Sequence, residues 1–126
     1  MSHSARTDKE MDLPTAVDRY VDDGDTVFIQ WQPFAPMAIM HEVIRQDVSG
    51  LEITCASMTH GGDLLLGAGC VDKVKTGYFG LELLGLSSVF RRAIEEDVPH
   101  EIELEEYANF NIQMMNLAGA MGLPFA

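Results

Sequence analysis

The stretch Met58-Thr59-His60-Gly61-Gly62-Asp63 places a histidine beside a glycine pair, after one apolar run and before another. Glycines in such a place free backbone N–H groups to hold a phosphate or a carboxylate at a helix start. A tight turn explains the same pair equally well, and a polar loop residue explains His60. Gln30 and Trp31 close the strand-like run that begins at Thr26, and open α/β sheets hold their ligands at the C-terminal ends of strands. The plainer use of this pair is a buried indole beside a satisfied amide. Tyr78 to Gly80 follows another strand-like run and would line the same cleft. Glu105-Glu106-Tyr107 ends an alternating segment; by composition these acids form a solvated cluster with Glu101 and Glu103. Cys55 and Cys70, the two cysteines, lack the C-x-x-C spacing of a metal or redox site. They read as small buried residues of a reducing cytosol, and no metal is expected.

The elements that would position these residues follow from periodicity. Leu13, Ala16, Val17, Tyr20 and Val21 share one helical face, with Asp12 placed to cap it and Pro14 in the first turn. Asp22-Asp23-Gly24-Asp25 turns the chain into Thr26–Trp31, a run apolar on both sides, as a covered parallel sheet requires. Pro36 opens a helix whose stripe is Met37, Met40, Val43 and Ile44, and Leu51 to Ala56 is the next strand. A short helix around Leu64 to Leu66 ends at Gly67 and Gly69, and Val71 to Phe79 is a strand. Val89, Phe90, Ala93 and Ile94 mark a helix capped by Ser87 or Ser88. Along it Arg91 and Arg92 pair with Glu95 and Glu96. Glu101 to Glu105 alternates as a strand with one wet face. Phe110, Met114, Leu117, Ala118 and Met121 trace a last helix, with Met114-Met115 as packing. Alternating helices and strands joined by short connections predict an α/β fold.

Composition narrows the partners. Twenty acids against eight bases give 126 residues a formal net charge of −12. Nucleic acid and anionic lipid are repelled by such a surface, so neither is an expected partner. No apolar run approaches the ~20 residues of a membrane span. Residues 1–11 read as a disordered leader without the apolar stretch of a secretory signal, which suits the cytoplasm. Lysine is confined to Lys9, Lys73 and Lys75; an acidic, lysine-poor surface suits a salt-rich cytoplasm, where screening removes self-repulsion. The chain stops at Phe125-Ala126, just after a helix stop, where an alternating fold places a strand. It reads as cut off.

Taken in order, Asp23-Gly24-Asp25-Thr26, Pro36, Glu42-Val43-Ile44-Arg45-Gln46, Gly62 through Val71 and Phe90-Arg91-Arg92-Ala93 resemble family I CoA-transferases, most closely the glutaconate CoA-transferase A subunit. Glu105-Glu106-Tyr107 and the later Ala118 through Phe125 extend the match. The resemblance implies that 12–126 is the N-terminal part of a three-layer α/β/α domain with a mainly parallel sheet (CoA-transferase / NagB-RpiA-like), and that it works in a hetero-oligomer with a homologous B subunit. It implies transfer of coenzyme A, itself a substrate, from an acyl-CoA thioester to a free carboxylate. The attacking glutamate belongs to the B subunit, so this chain would supply walls and hydrogen-bond donors. Related ring-opening acyl-CoA hydrolases of the same fold carry an acid where Glu106-Tyr107 stands here, which would make Glu106 a general base. Many family members have a glycine pair after the first strand, and Gln30-Trp31 replaces it. That departure leaves a third expectation, a non-catalytic remnant that only associates with a partner or with itself.

Overall fold

The computed structural model describes residues 10–29 and 35–124. Asp12 caps the first helix, α1 (Leu13–Tyr20), its Oδ1 accepting the Thr15 N–H at 2.9 Å. Strand β1 (Thr26–Phe28) follows the acidic turn, then α2 (Met37–Arg45), β2 (Leu51–Cys55), α3 (His60–Gly67), β3 (Val71–Thr76), α4 (Ser88–Glu96), β4 (Glu103–Glu106) and α5 (Asn109–Met121). The four strands lie in the order β1-β2-β3-β4, every pair parallel. This is the α/β architecture expected from the sequence.

Consecutive parallel neighbours need crossovers, and right-handed crossovers advancing in one direction place the connecting helices on one face. Accordingly α1 packs on α2, α2 on α3 and α3 on α4. Beneath that row, alternate residues of the strands are shut away from water. Leu51, Ile53, Cys55, Val71 and Val74 are all 4% exposed or less, with Leu65 and Leu66 pressed from α3. Truncating any of these leucines to alanine would cost about 2–5 kcal/mol.

The opposite set of side chains is polar apart from Phe28. Register aligns Thr26, Glu52, Lys73 and Glu103 in one row, and Phe28, Thr54, Lys75 and Glu105 in another. Lys75 Nζ pairs with Glu52 at 2.9 Å, while Lys73 Nζ pairs with Glu103 at 2.9 Å and also with Glu105. These contacts make a charged ladder across three strands.

Several boundaries differ from the sequence reading. The strand expected to run to Trp31 ends at Phe28, although the Ile29 N–H still donates to Thr54 O at 2.9 Å; Gln30 and Trp31 lie outside the described residues. Phe28 is 48% exposed rather than sandwiched, because it stands on the sheet face opposite the row of connecting helices. Pro36 stands immediately before α2, at its cap, instead of inside the first turn. The strand from Val71 stops at Thr76, and a 3-10 turn at Glu82–Leu84 follows that no periodicity announced. Strand β4 begins two residues late, at Glu103. In α5 the buried positions are Ile112 and Ala118, whereas Phe110 and Met121 are exposed. Arg91–Glu95 and Arg92–Glu96 pair along α4 as expected. Among the described residues no helix is long and apolar enough to cross a membrane.

Candidate functional site

A parallel sheet directs all its strand C-termini to one edge, and the segments leaving that edge carry the candidate residues. His60 opens α3 beyond β2, Tyr78 follows β3, and Glu106 is the last residue of β4. Gln30 and Trp31 lie outside the described residues.

Backbone bonds knit the segments beyond β2 and β3 together. The Met58 N–H donates to Tyr78 O at 2.7 Å, the Gly80 N–H to Met58 O at 3.1 Å, and the Gly77 N–H to Ala56 O at 3.2 Å. Thr76 Oγ1 donates to Tyr78 O at 2.8 Å, and Thr76 O accepts the Tyr107 N–H at 3.0 Å. Register sets Glu106 beside Thr76. Tyr78 and Glu106 therefore flank one buried threonine, with Tyr78 40% exposed. The Glu106 carboxylate makes no hydrogen bond or ion pair with any described residue, leaving it open to solvent or to a bound molecule.

The glycines of the His60-Gly61-Gly62 segment prove to be helical rather than a loop ahead of the helix: all three residues belong to the first turn of α3, and both glycines are buried. A Cβ at Gly62 would run into the Met58 side chain, itself 1% exposed, and meet Phe79 at 3.4 Å. Close packing thus gives that position a reason to be glycine. His60 is exposed and lines a groove of about 610 Å³ between α2, α3 and α4, with Met37, His41, Ile44 and Val89. It is not among the groups bonded around Thr76. Further along α3, Asp63 accepts the Ser87 hydroxyl, while Ser87 caps α4 by accepting the Phe90 N–H at 2.9 Å, which ties the two helices. The Phe79 and Phe90 rings stack at 4.2 Å nearby.

Three residues that the sequence reading did not select join this edge. Asn109, the first residue of α5, donates from Nδ2 to Ser57 Oγ at 3.3 Å. Gly77 lies directly under that contact: a Cβ there would overlap Asn109 Oδ1 and come within 2.9 Å of Asn109 N and Tyr107 O. Nothing in linear spacing links Ser57 to a partner 52 positions later. Nearby, Tyr107 Oη donates to Glu105 Oε2 at 2.6 Å. Glu105 keeps its carboxyl below the ordinary range, first through Lys73 and then through Tyr107, and in turn raises the Tyr107 phenol. Tyr107 is held protonated as a donor. Burial pushes both cysteine thiols up, so neither behaves as a ready nucleophile. Among the described residues no three His, Cys, Asp or Glu side chains converge as a metal site.

A family model described as Coenzyme A transferase matches residues 10–126. The chain belongs to the coenzyme A transferase family. Within it, the A subunit of 3-oxoadipate CoA-transferase from Pseudomonas knackmussii is 36% identical over 115 residues, covering 90% of this chain and 41% of the relative. The A subunit of glutaconate CoA-transferase from Acidaminococcus fermentans is 29% identical over 119 residues, covering 93% of this chain and 37% of the relative. The crystal structure of glutaconate coenzyme A-transferase from the same organism superposes with a TM-score of 0.83 at 28% identity, over 92% of this chain and 37% of that one. This coenzyme A transferase chain thus spans well under half the length of the relatives it matches, and its likeness to A-type chains agrees with the motifs quoted above.

Proposed function

We propose that the chain is part of the A subunit of a two-subunit CoA-transferase of the cytoplasm, which pairs with a homologous B subunit to move coenzyme A between an acyl-CoA thioester and a free carboxylate. In this reading a glutamate carboxylate from the B subunit's active centre attacks the thioester carbonyl and expels the CoA thiolate, leaving a mixed anhydride. The thiolate then attacks the enzyme-side carbonyl, releases the first acid and forms an enzyme-bound thioester, which the acceptor carboxylate opens by the reverse steps.

One observation carries the reading beyond family membership. The edge defined by Ser57, Tyr78 and Glu106 offers hydrogen-bonding groups and backbone dipoles, while both thiols are buried and Glu105 is engaged with Lys73 and Tyr107. In this reading the edge binds and orients a reacting molecule, and the attacking carboxylate comes from the B subunit. Gln30, Trp31 and Tyr78 would contact substrate or coenzyme A from this edge, and His60, Gly61 and Gly62 would do so through the first turn of α3. With a net charge of −12, a polyanionic CoA would rest on local N–H dipoles such as those opening α3 rather than on a basic groove.

Co-expression with the B-type chain, followed by exchange of acyl-CoA with labelled acetate, tests the reading. Exchange is expected from the pair and not from this chain alone. The Glu106 carboxylate, without a partner among the described residues, supports a second reading, thioester hydrolysis with Glu106 as general base. In that case the pair consumes acyl-CoA without labelling, and Glu106→Gln lowers turnover by about 100-fold or more. Unchanged turnover in Glu106→Gln removes Glu106 from the chemistry. A pair that assembles and does neither reaction is a non-catalytic association module.

A further inference from the structure

The proposed transfer leaves unassigned the group that receives the carboxylate substrate on this chain. Ser57 lies just beyond β2, between the ends of β1 and β3, and is partly exposed. Its Oγ accepts the Asn109 amide at 3.3 Å, while its own proton goes to no described residue. Two neighbouring hydroxyls are committed: Thr76 Oγ1 donates to Tyr78 O, and Tyr107 Oη to Glu105. An accepted hydrogen bond polarises a hydroxyl and makes its remaining proton a better donor. The orientation of the amide is also fixed from three sides. Asn109 is anchored at the start of α5, Gly77 admits no side chain under it, and the Tyr107 N–H ties the preceding residues to Thr76 O. Cys55 and Glu106 both align with Thr76, so β2 and β4 end two strand spacings apart, about 10 Å. β3, continuing from Thr76 into Gly77 and Tyr78, lies between them.

We propose that Ser57 donates a hydrogen bond to the carboxylate substrate, with Asn109 as the positioning residue that sets the direction of its hydroxyl. The inference rests on the transferase reading, whose substrates include a free carboxylate. Its test uses the reconstituted pair with two readouts, transfer kinetics and calorimetric binding of acetate and glutarate. Ser57→Ala is expected to raise the carboxylate KM about 10-fold, the loss of one hydrogen bond to a charged group, with the acyl-CoA KM within about twofold of wild type and the melting temperature unchanged. Ser57→Thr keeps the hydroxyl and restores the KM; Asn109→Ala gives an intermediate rise. Unaltered carboxylate KM and binding in Ser57→Ala overturn the proposal, as does equal damage in Ser57→Ala and Ser57→Thr accompanied by a lower melting temperature. A wild-type pair that binds neither carboxylate overturns it too. A pair that binds carboxylate through Ser57 yet transfers nothing sinks the transferase reading and leaves the Ser57 assignment standing.

Discussion

Glu42 is 7% exposed on α2, and such a carboxylate must find donors. Arg45 supplies two, through Nε at 2.8 Å and Nη2, and Gln46 Nε2 a third at 2.6 Å while also donating to Pro14 O at 2.9 Å on α1. The Arg45 bond foremost, then that of Gln46, pulls the Glu42 pKa from an ordinary 4.5 to about 2. A depressed carboxylate stabilises the fold fully above its unfolded pKa and loses that contribution as pH falls through the folded value. Glu42→Gln should therefore melt below wild type near neutral pH, with the difference shrinking between pH 4.5 and about 2. Calorimetric melts across that range check it; a constant difference would place the effect in packing. At this scale the sequence was legible where partners are local. Asp12 as a cap and the Arg91–Glu95 pair follow from spacings of three and four residues. Gly62 and Gly77 were not legible as packing glycines, because the side chains that exclude a Cβ come from other elements.

Elements were read well wherever one face is buried, since burial imposes the apolar period. Strand β2 alternates buried and half-buried positions throughout, and its boundaries were found to within a residue. The helix at His60 was placed late because Gly61 and Gly62 carry no apolar signal, yet they pack as core. The stripe traced along α5 misled for a different reason: Phe110 and Leu117 are apolar but exposed at 71% and 49%. Periodicity reports a side-chain pattern and says nothing of what covers it. The start of α5 is instead fixed by Asn109 over Gly77. Gly77→Ala should push Asn109 and the Tyr107 carbonyl aside, destabilise by about 1–3 kcal/mol, and speed amide exchange in the first turns of α5 while the amides of β2 stay protected. Equal exchange in both proteins would show the contact to be dispensable. Of the candidate site, the edge was legible from strand–helix alternation; its internal bonds, such as Ser57 to Asn109, were not.

Across the whole molecule, charge and exposed leucine set the behaviour in solution. With a net charge of −12, self-repulsion weakens the compact state until salt screens it. Melting temperature is expected to rise from low to molar salt, and equal melts in both would remove the salt-rich setting as an account of the acidity. Leu83, Leu84 and Leu86 stand 102%, 76% and 67% exposed in the segment after β3, a patch that excess salt would also make stickier.

Activated thioesters acylate amines without any enzyme, and only the uncharged amine reacts. Lys73 is gripped by Glu105 and Glu103, which hold its pKa above the ordinary lysine range, and Lys75 is clasped by Glu52. The charged ladder on the sheet is therefore also a chemical shield. Incubated with acetyl-CoA and mapped by mass spectrometry, Lys73 should remain largely unmodified at neutral pH, and Glu105→Gln should open it to acetylation. Under the proposed transferase reading, this ladder would spare Lys73 from the acyl groups being moved.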